Sequence, residues 1–296
     1  MTSRPSHPPT LLRIVERTVR EERLVRSGDR IVVAVSGGPD SMAMAHALWL
    51  LRGRMGIEPI AVGVDHQLRA EAASELDAAS AFLGGLGMVF ERAKVEVGHG
   101  GNLMARAREA RYGVLRDAMR RLGASCLAVG HQADDRAETV MIRLLQGSGP
   151  AGLAVLSARS GDVIRPLIRA RRADVIAHVQ RHGVPFSQDP TNASREHLRG
   201  AVRWELLPRM EELSPRVVWH LWELAEDLGA IAGDGEGRPV LKRAQWKALA
   251  KAGAEGGAVR VALPGGRVAR VDARSGVISY EGEAPSAGPP AEPGKK

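Results

Sequence analysis

Two polar clusters in this sequence hold residue types suited to group-transfer chemistry. The first is Ser36-Gly37-Gly38-Pro39-Asp40-Ser41. Its glycines let the backbone curl with N–H groups inward, and its serines place hydroxyl donors at either end, a combination suited to phosphate. The second is GHQADDRAET, residues 130–139, in which His131 precedes Asp134, Asp135 and Glu138. On a helix, Asp134 and Asp135 lie four and three positions before Glu138, so the carboxylates gather at the first turn. A capping box explains one aspartate and the glutamate, but not both aspartates and the histidine. Carboxylates beside a phosphate loop suit Mg2+ coordination or recognition of a substrate ammonium group. Two further groups are Asp65, His66 and Arg69 in GVDHQLR, and Arg108, Arg111 and Tyr112 in ARAREARYGVL. A plain turn explains the former taken alone. A solvated basic face explains the latter as well as phosphate contact does.

The elements around these clusters follow from periodicity. Apolar runs at 31–35, 60–64, 89–95 and 126–129 read as strands. Helical patterns at 41–53, 71–86 and 103–122, and one beginning near Asp134, alternate with them. Such alternation predicts a doubly wound α/β fold with a mostly parallel sheet. Ligands in these sheets bind at the carboxyl ends of strands, where the phosphate loop and the 63–69 and 130–139 clusters all fall. An amphipathic helix is predicted over 11–26, with Leu12, Val15, Val19 and Leu24 near one face. Residues 150–169 read as loop, and helices are predicted at 171–182, 195–213 and 216–230. A glycine-rich break at 233–237 precedes a short basic segment, 242–251, and a hairpin or two within 258–281. The predicted organisation is an N-terminal helix region over 1–27, a catalytic domain with helical extension over 28–212, a small helical and hairpin region over 213–283, and a disordered tail over 284–296.

Composition narrows the possibilities. The 296 residues are 44% hydrophobic and 26% charged, as in an ordinary soluble domain. Only 3% are aromatic, so alanine, valine and leucine must do most of the packing. The single cysteine, Cys126, sits in an apolar run and excludes an intramolecular disulfide. No run approaches the about 20 apolar residues of a membrane span, and the polar first ten residues lack a signal-peptide core. With a reducing cytoplasm matching the cysteine count, a cytoplasmic location is expected. The net charge of +8 favours a polyanionic partner such as RNA.

The phosphate loop lacks the lysine of a Walker loop and the third glycine of a dinucleotide fingerprint. It resembles instead the PP-loop of the ATP pyrophosphatases, which cleave ATP to AMP and pyrophosphate while adenylating a substrate. SGGPDS, VDHQLR, AREARY and GHQADDRAET, then GSGPAGL at 147–153 and RPL at 165–167, occur in the order found in the tRNA(Ile)-lysidine synthetases. DPTN at 189–192 and RGAVRWELLP at 199–208 continue the resemblance, which covers residues 28–210.

The resemblance implies an adenine nucleotide α-hydrolase-like fold and a ligase that uses ATP, Mg2+ and free L-lysine on a tRNA(Ile) with anticodon CAU. The wobble cytidine becomes lysidine through an adenylated intermediate, and codon reading changes from AUG to AUA. Ser36 to Ser41, Asp65, His66 and His131 are expected around the nucleotide. Asp40 and Asp135 are candidates for Mg2+, with Asp134, Asp135 and Glu138 facing metal or the lysine ammonium. Arg111 and Arg203 are expected to contact phosphate or the tRNA backbone. Members of the family commonly form homodimers. The alternatives are a thiolase-like PP-loop enzyme and a weakly active RNA-binding relative. Family members usually carry Arg-Asn-x-x-Arg where this chain has Arg199-Gly200 and Arg203. The region after 210 is also short, so tRNA recognition is expected to be reduced or differently built.

Overall fold

Valine and isoleucine at successive positions make β1 (Arg30–Val35) a strand with two covered faces. Ile31, Val33 and Val35 enter one core, while Val32 enters the other. The period of two sends alternate side chains into separate layers, so each layer needs its own helices. The computed structural model describes residues 10–65, 71–95, 103–187, 197–233, 259–262, 268–271 and 278–281. The chain divides into one unit of Met1–Ile142 with Val155–Glu226 and another of Arg143–Ala154 with Asp227–Lys296.

In the first unit, α1 (Leu11–Glu21) precedes β1, followed by α2 (Pro39–Met55), β2 (Glu58–Asp65), α3 (Glu71–Gly85) and β3 (Phe90–Lys94). Then come α4 (Leu103–Arg121), β4 (Cys126–Ala128) and α5 (Ala133–Leu145), whose last residues belong to the second unit, as does α6 (Pro150–Leu153). β5 (Arg159–Ser160), β6 (Val163–Ile164) and α7 (Arg172–Arg181) follow. Beyond them, α8 (Leu198–Ala201), a π-helical segment (Val202–Leu206) and α9 (Leu207–Leu213) run end to end before α10 (Val217–Gly233). The strand order is β3-β2-β1-β4-β6-β5, parallel except for the β5/β6 pair. The parallel α/β fold predicted from alternation is therefore present.

Residues 150–169, read from sequence as loop, contain α6 and the β5/β6 hairpin that extends the sheet. Two-residue strands carry no periodicity from which to recognise them. The 195–213 helix is three pieces, beginning at Leu198, and α1 stops at Glu21, five residues earlier than predicted. In the second unit, β7 (Val259–Ala262), β8 (Val268–Val271) and β9 (Ile278–Glu281) form an antiparallel sheet. This agrees with the hairpins expected there. The basic segment 242–251 and the tail 284–296 lie outside the described residues. Among the described residues, no helix is long and apolar enough to cross a membrane.

α2 is buried from Ser41 through Leu48, apolar nearly all round because it has neighbours on all sides. On one side lie Leu11, Val15 and Val19 of α1, and on another Val175 and Val179 of α7, all in the same core. Trp222 of α10 donates its indole N–H to the Ile168 carbonyl at 2.8 Å, with the Arg136 guanidinium 4.9 Å from its ring.

The α2–α7 contact also buries imidazoles. His46 Nδ1 and His178 Nε2 are 2.9 Å apart, and the rings of His182 and His178 are 4.6 Å apart. One nitrogen of the short pair must donate and the other accept, so neutral rings suit it. Burial, then the neighbouring His182, His46 and Arg181, push His178 down to about 4 from 6.5. Burial and His182 lower His46 too. Below 6.5 the unfolded chain takes up protons that these folded rings refuse, so stability is lost as pH falls from 6.5 toward 4. Urea melts should therefore show a fall in stability between about pH 7 and pH 5 that is shallower in His178→Leu. Equal slopes in both proteins would exclude the cluster as its source.

Candidate active site

After β1 the chain runs outward through β2 and β3, then returns to place β4 on β1's other side. A crevice opens where the strand order reverses, at the carboxyl ends of β1 and β4. Two loops meet there. The first, Ser36 to Gly38, leads into α2 with Gly38 at the N-cap, Pro39 at the first helical position and Asp40 in the first turn. Ser41 Oγ braces the turn: it accepts from the Ser36 amide at 3.1 Å and donates to the Gly38 carbonyl at 2.9 Å. Gly37 has φ +80°, and a side-chain carbon there would lie 3.1 Å from Glu75 Cβ. First-turn amides of α2 lack intrahelical acceptors and carry the positive end of the helix dipole.

The second loop, residues 129–132, leads from β4 into α5. Gly130 lets it lie against the start of α2, since a Cβ there would stand 3.2 Å from the Asp40 carbonyl carbon. Gln132 joins the two loops: its Nε2 donates to Asp40 Oδ1 at 3.1 Å and its backbone amide to Asp135 Oδ2 at 3.0 Å. Asp135 thus caps its own helix, while Thr139 Oγ1 bonds the Asp135 carbonyl.

Arginines from later in the chain close over α5. Glu138, 1% exposed at its side chain, receives Arg203 Nε at 2.6 Å, Arg199 Nε at 3.0 Å and Arg172 at 3.1 Å. Arg203 also reaches Asp135 at 3.3 Å. Asp134 accepts from the Arg172 amide at 2.8 Å and from Arg171, which also bonds Glu211 at 2.7 Å. Burial works to raise Glu138, but the Arg203 bonds and the three guanidinium charges prevail and hold it below the usual carboxylate range. Asp135 is raised by burial and by neighbouring Glu138. Asp40 has no guanidinium within ion-pair distance among the described residues. Burial, then Asp135, push it up to about 7.

The other wall is basic. Arg165 donates from Nε to His131 Nδ1 at 3.3 Å and from a terminal nitrogen to the Ser157 carbonyl at 2.7 Å. Burial, then Arg165, Arg108, Arg199 and Arg111, push His131 down to about 3, so the ring is neutral. Its Nδ1 accepts, leaving the proton on Nε2. Arg111, lowered chiefly by burial, lies 5.8 Å from the centre of the Tyr112 ring.

Thus Ser36, Gly37, Gly38, Pro39, Asp40 and Ser41 form one loop and helix start. Asp134, Asp135, Glu138 and Arg203 share the adjoining network, and His131 lies on the basic wall, bonded to Arg165. Asp65 ends β2, in register with Lys94, whereas His66, Arg69 and the 189–192 segment lie outside the described residues. Each of the three α5 carboxylates has a guanidinium group against it: Asp134 has Arg171, Asp135 has Arg203, and Glu138 has Arg172, Arg199 and Arg203. Gly200, standing where the family usually has asparagine, is buried in α8. Sequence reading passed over Gln132, Arg165, Arg171 and Arg172 as individual site residues. Arg171 and Arg172 carried a usable signal: cations at a helix N-terminus oppose its dipole and point to acidic partners elsewhere.

Among the described residues, no three His, Cys, Asp or Glu side chains form a metal cage. The Asp40–Gln132–Asp135 corner nevertheless suits a divalent ion that also takes phosphate and water oxygens. Gln132 Oε1 there is buried without a hydrogen-bond partner, beside the Asp40 carboxyl, which burial and then Asp135 raise.

A profile of the PP-loop domain matches residues 11–210, and the chain belongs to that family. Within it, the chain is 37% identical over 210 residues to a tRNA(Ile)-lysidine synthase of Thermobifida fusca, covering 70% of this chain and 65% of that one. It is 37% identical over 217 residues to the corresponding synthase of Symbiobacterium thermophilum, covering 69% and 44%. A Listeria monocytogenes protein named bifunctional protein TilS/HprT is 32% identical over 237 residues, covering 74% and 36%. The matches thus span from 36% to 65% of these relatives' lengths. The U34-tRNA thiolase NcsA from Methanococcus maripaludis, solved with its [4Fe-4S] cluster, superposes with a TM-score of 0.62 at 20% identity. It covers 74% of this chain and 80% of its own, a likeness of fold.

Removing Glu138 leaves three arginines facing one another. Glu138→Ala should lose about 3–5 kcal/mol of stability in urea melts. Arg199→Ala, at a half-exposed guanidinium, should lose about 1 kcal/mol or less. Equal losses would show that Glu138 is not the anchor of the network.

Proposed function

We propose that this protein uses ATP to join free L-lysine to C2 of the wobble cytidine of a tRNA(Ile) with anticodon CAU. The observation that carries this reading is the meeting of a PP-loop with the acidic start of α5, inside the PP-loop domain match of residues 11–210, in a chain 37% identical over 210 residues to a tRNA(Ile)-lysidine synthase. Gln132 ties the two parts together. In the proposed reaction, the C2 oxygen attacks the α-phosphorus and pyrophosphate leaves. The ε-amine of lysine then forms a C–N bond at C2, AMP departs with the C2 oxygen, and the amine loses its proton.

The amides and hydroxyls of Ser36 to Ser41 suit the leaving pyrophosphate, whose charge grows as the bond breaks. Asp40 and Asp135, with Gln132 Oε1, would hold Mg2+, which when bound would neutralise part of that charge. Arg111 and Arg165 suit the phosphate or RNA backbone on the basic wall. Arg203 would act indirectly, keeping Glu138 ionised and holding both Glu138 and Asp135 in place.

Sulfur transfer of the thiolase kind is disfavoured by the single Cys126, which is buried and whose thiol is raised chiefly by burial.

The test is incubation of purified protein with ATP, Mg2+, labelled lysine and the CAU tRNA(Ile). Label should appear at the wobble cytidine. Asp40→Ala should fold normally and lose at least about 100-fold in rate. RNA binding without incorporation, under conditions where a known synthetase works, would replace this reading with that of a weakly active RNA-binding relative.

A further inference from the structure

We propose that a groove of arginines at the amino edge of the sheet docks the phosphate backbone of the tRNA, away from the base that reacts. The proposal rests on the reading that the substrate is a tRNA, and gives that substrate a second contact surface.

The groove lies where the chain enters β1, β2 and β4. An open cavity of about 630 Å³ is lined by Arg20, Arg23, Arg26 and Arg54, with Val25 and Met55 among its apolar residues. A second, of about 260 Å³, shares Arg23, Val25 and Arg26 and adds Ser125 and Arg159. The Gly28 amide bonds the Gly56 carbonyl at 2.7 Å, so the loops that follow α1 and α2 form one surface. The phosphate loop follows β1 instead, and the six residues of that strand separate it from the groove by about 20 Å.

Arg23 occupies an unusual position. At the end of α1 its amide bonds the Arg20 carbonyl, and the Leu24 amide bonds the Val19 carbonyl. That closure needs left-handed backbone at position 23, where glycine is the usual residue. Arg23 holds φ +48°, at a cost in strain that glycine would avoid. No polar contact among the described residues offsets it. The exposed guanidinium of Arg23 has no hydrogen bond or ion pair there, and neither has that of Arg26.

Charge selects the occupant. Arg20 and Arg54, 63% and 68% exposed, share one carboxylate oxygen of Glu16 at 3.0 and 3.2 Å. The Asp29 carboxylate accepts the Arg26 amide at 2.7 Å, while Glu21 and Glu22 are held by Arg17 and Arg169. The ends of α1 and α2 add about half a negative charge each. Glu16, Asp29 and these ends offset about three charges, so the five arginines of the two cavities stay in excess. A second copy of this chain, itself at +8, would bring charge of the same sign. A phosphodiester backbone presents anions in series, which suits guanidinium groups ranged along an open groove.

The test uses the full chain, a tRNA(Ile) with anticodon CAU and a second tRNA of different anticodon. Arg23→Gly removes the cation and relieves the backbone, so it should melt no lower than wild type. Combined with Arg26→Ala, it should weaken binding of both tRNAs at least about 10-fold at low salt. The slope of log Kd against log salt should flatten by about 1 per arginine removed. Both tRNAs should lose equally, because phosphate contacts carry no sequence. In turnover the KM for tRNA should rise while kcat and the KM for ATP hold.

Unchanged affinity and slope in the double variant overturn the proposal, as does a loss confined to the CAU tRNA. So does dimerisation that the double variant abolishes, since a second copy would then be the occupant. Binding is read without lysine or ATP. Groove-dependent tRNA binding without lysine incorporation overturns the proposed function alone. Incorporation with groove-independent binding overturns the groove alone.

Discussion

Everything in the crevice depends on one buried anion. Glu138 sits in a pocket that would neutralise an isolated carboxylate, and three guanidinium groups keep it charged. These cations come from different parts of the chain: Arg172 opens α7, whereas Arg199 and Arg203 belong to α8 and the π turn. A charge without a partner in such a place is strongly unfavourable, so the ion pairs fix where three separate segments can lie. Arg203 extends the same constraint to Asp135, and Gln132 extends it from Asp135 to the phosphate loop. The position of the phosphate loop therefore rests on a carboxylate with little access to solvent.

Asp134 and Glu138 are electrostatically satisfied, whereas Asp40 is surrounded by low dielectric and by Asp135. That asymmetry separates two jobs that look alike in sequence. Carboxylates paired with arginines organise the helices, whereas Asp40 has no guanidinium within ion-pair distance among the described residues and is held by Gln132. At His131 the reverse holds: burial first, then the guanidinium groups of the basic wall, keep an imidazole neutral.

The elements that hold the site were legible because their signals are local. Valine runs marked β1 and β2, the glycine turn marked the loop, and acidic residues grouped by helical spacing marked α5. What remained hidden depends on distance or on very short range. Arg203 meets Glu138 across 65 residues and His46 meets His178 across 132, and no local pattern announces either contact. The β5/β6 hairpin is too short for alternation to show. A π turn adds one residue to a helix whose apolar spacing still reads as helical, so α8 and α9 merged in the sequence reading.

The contact at Gly130 has one more consequence. It brings the starts of α2 and α5 together, so two helix dipoles present their positive ends to the same small volume. Asp40 and Asp135 stand at these same helix starts, where carboxylate charge opposes that field. A bare polyphosphate would meet carboxylates there as well as amides. On the reading proposed above, such a crevice would favour an anion that arrives with a cation attached.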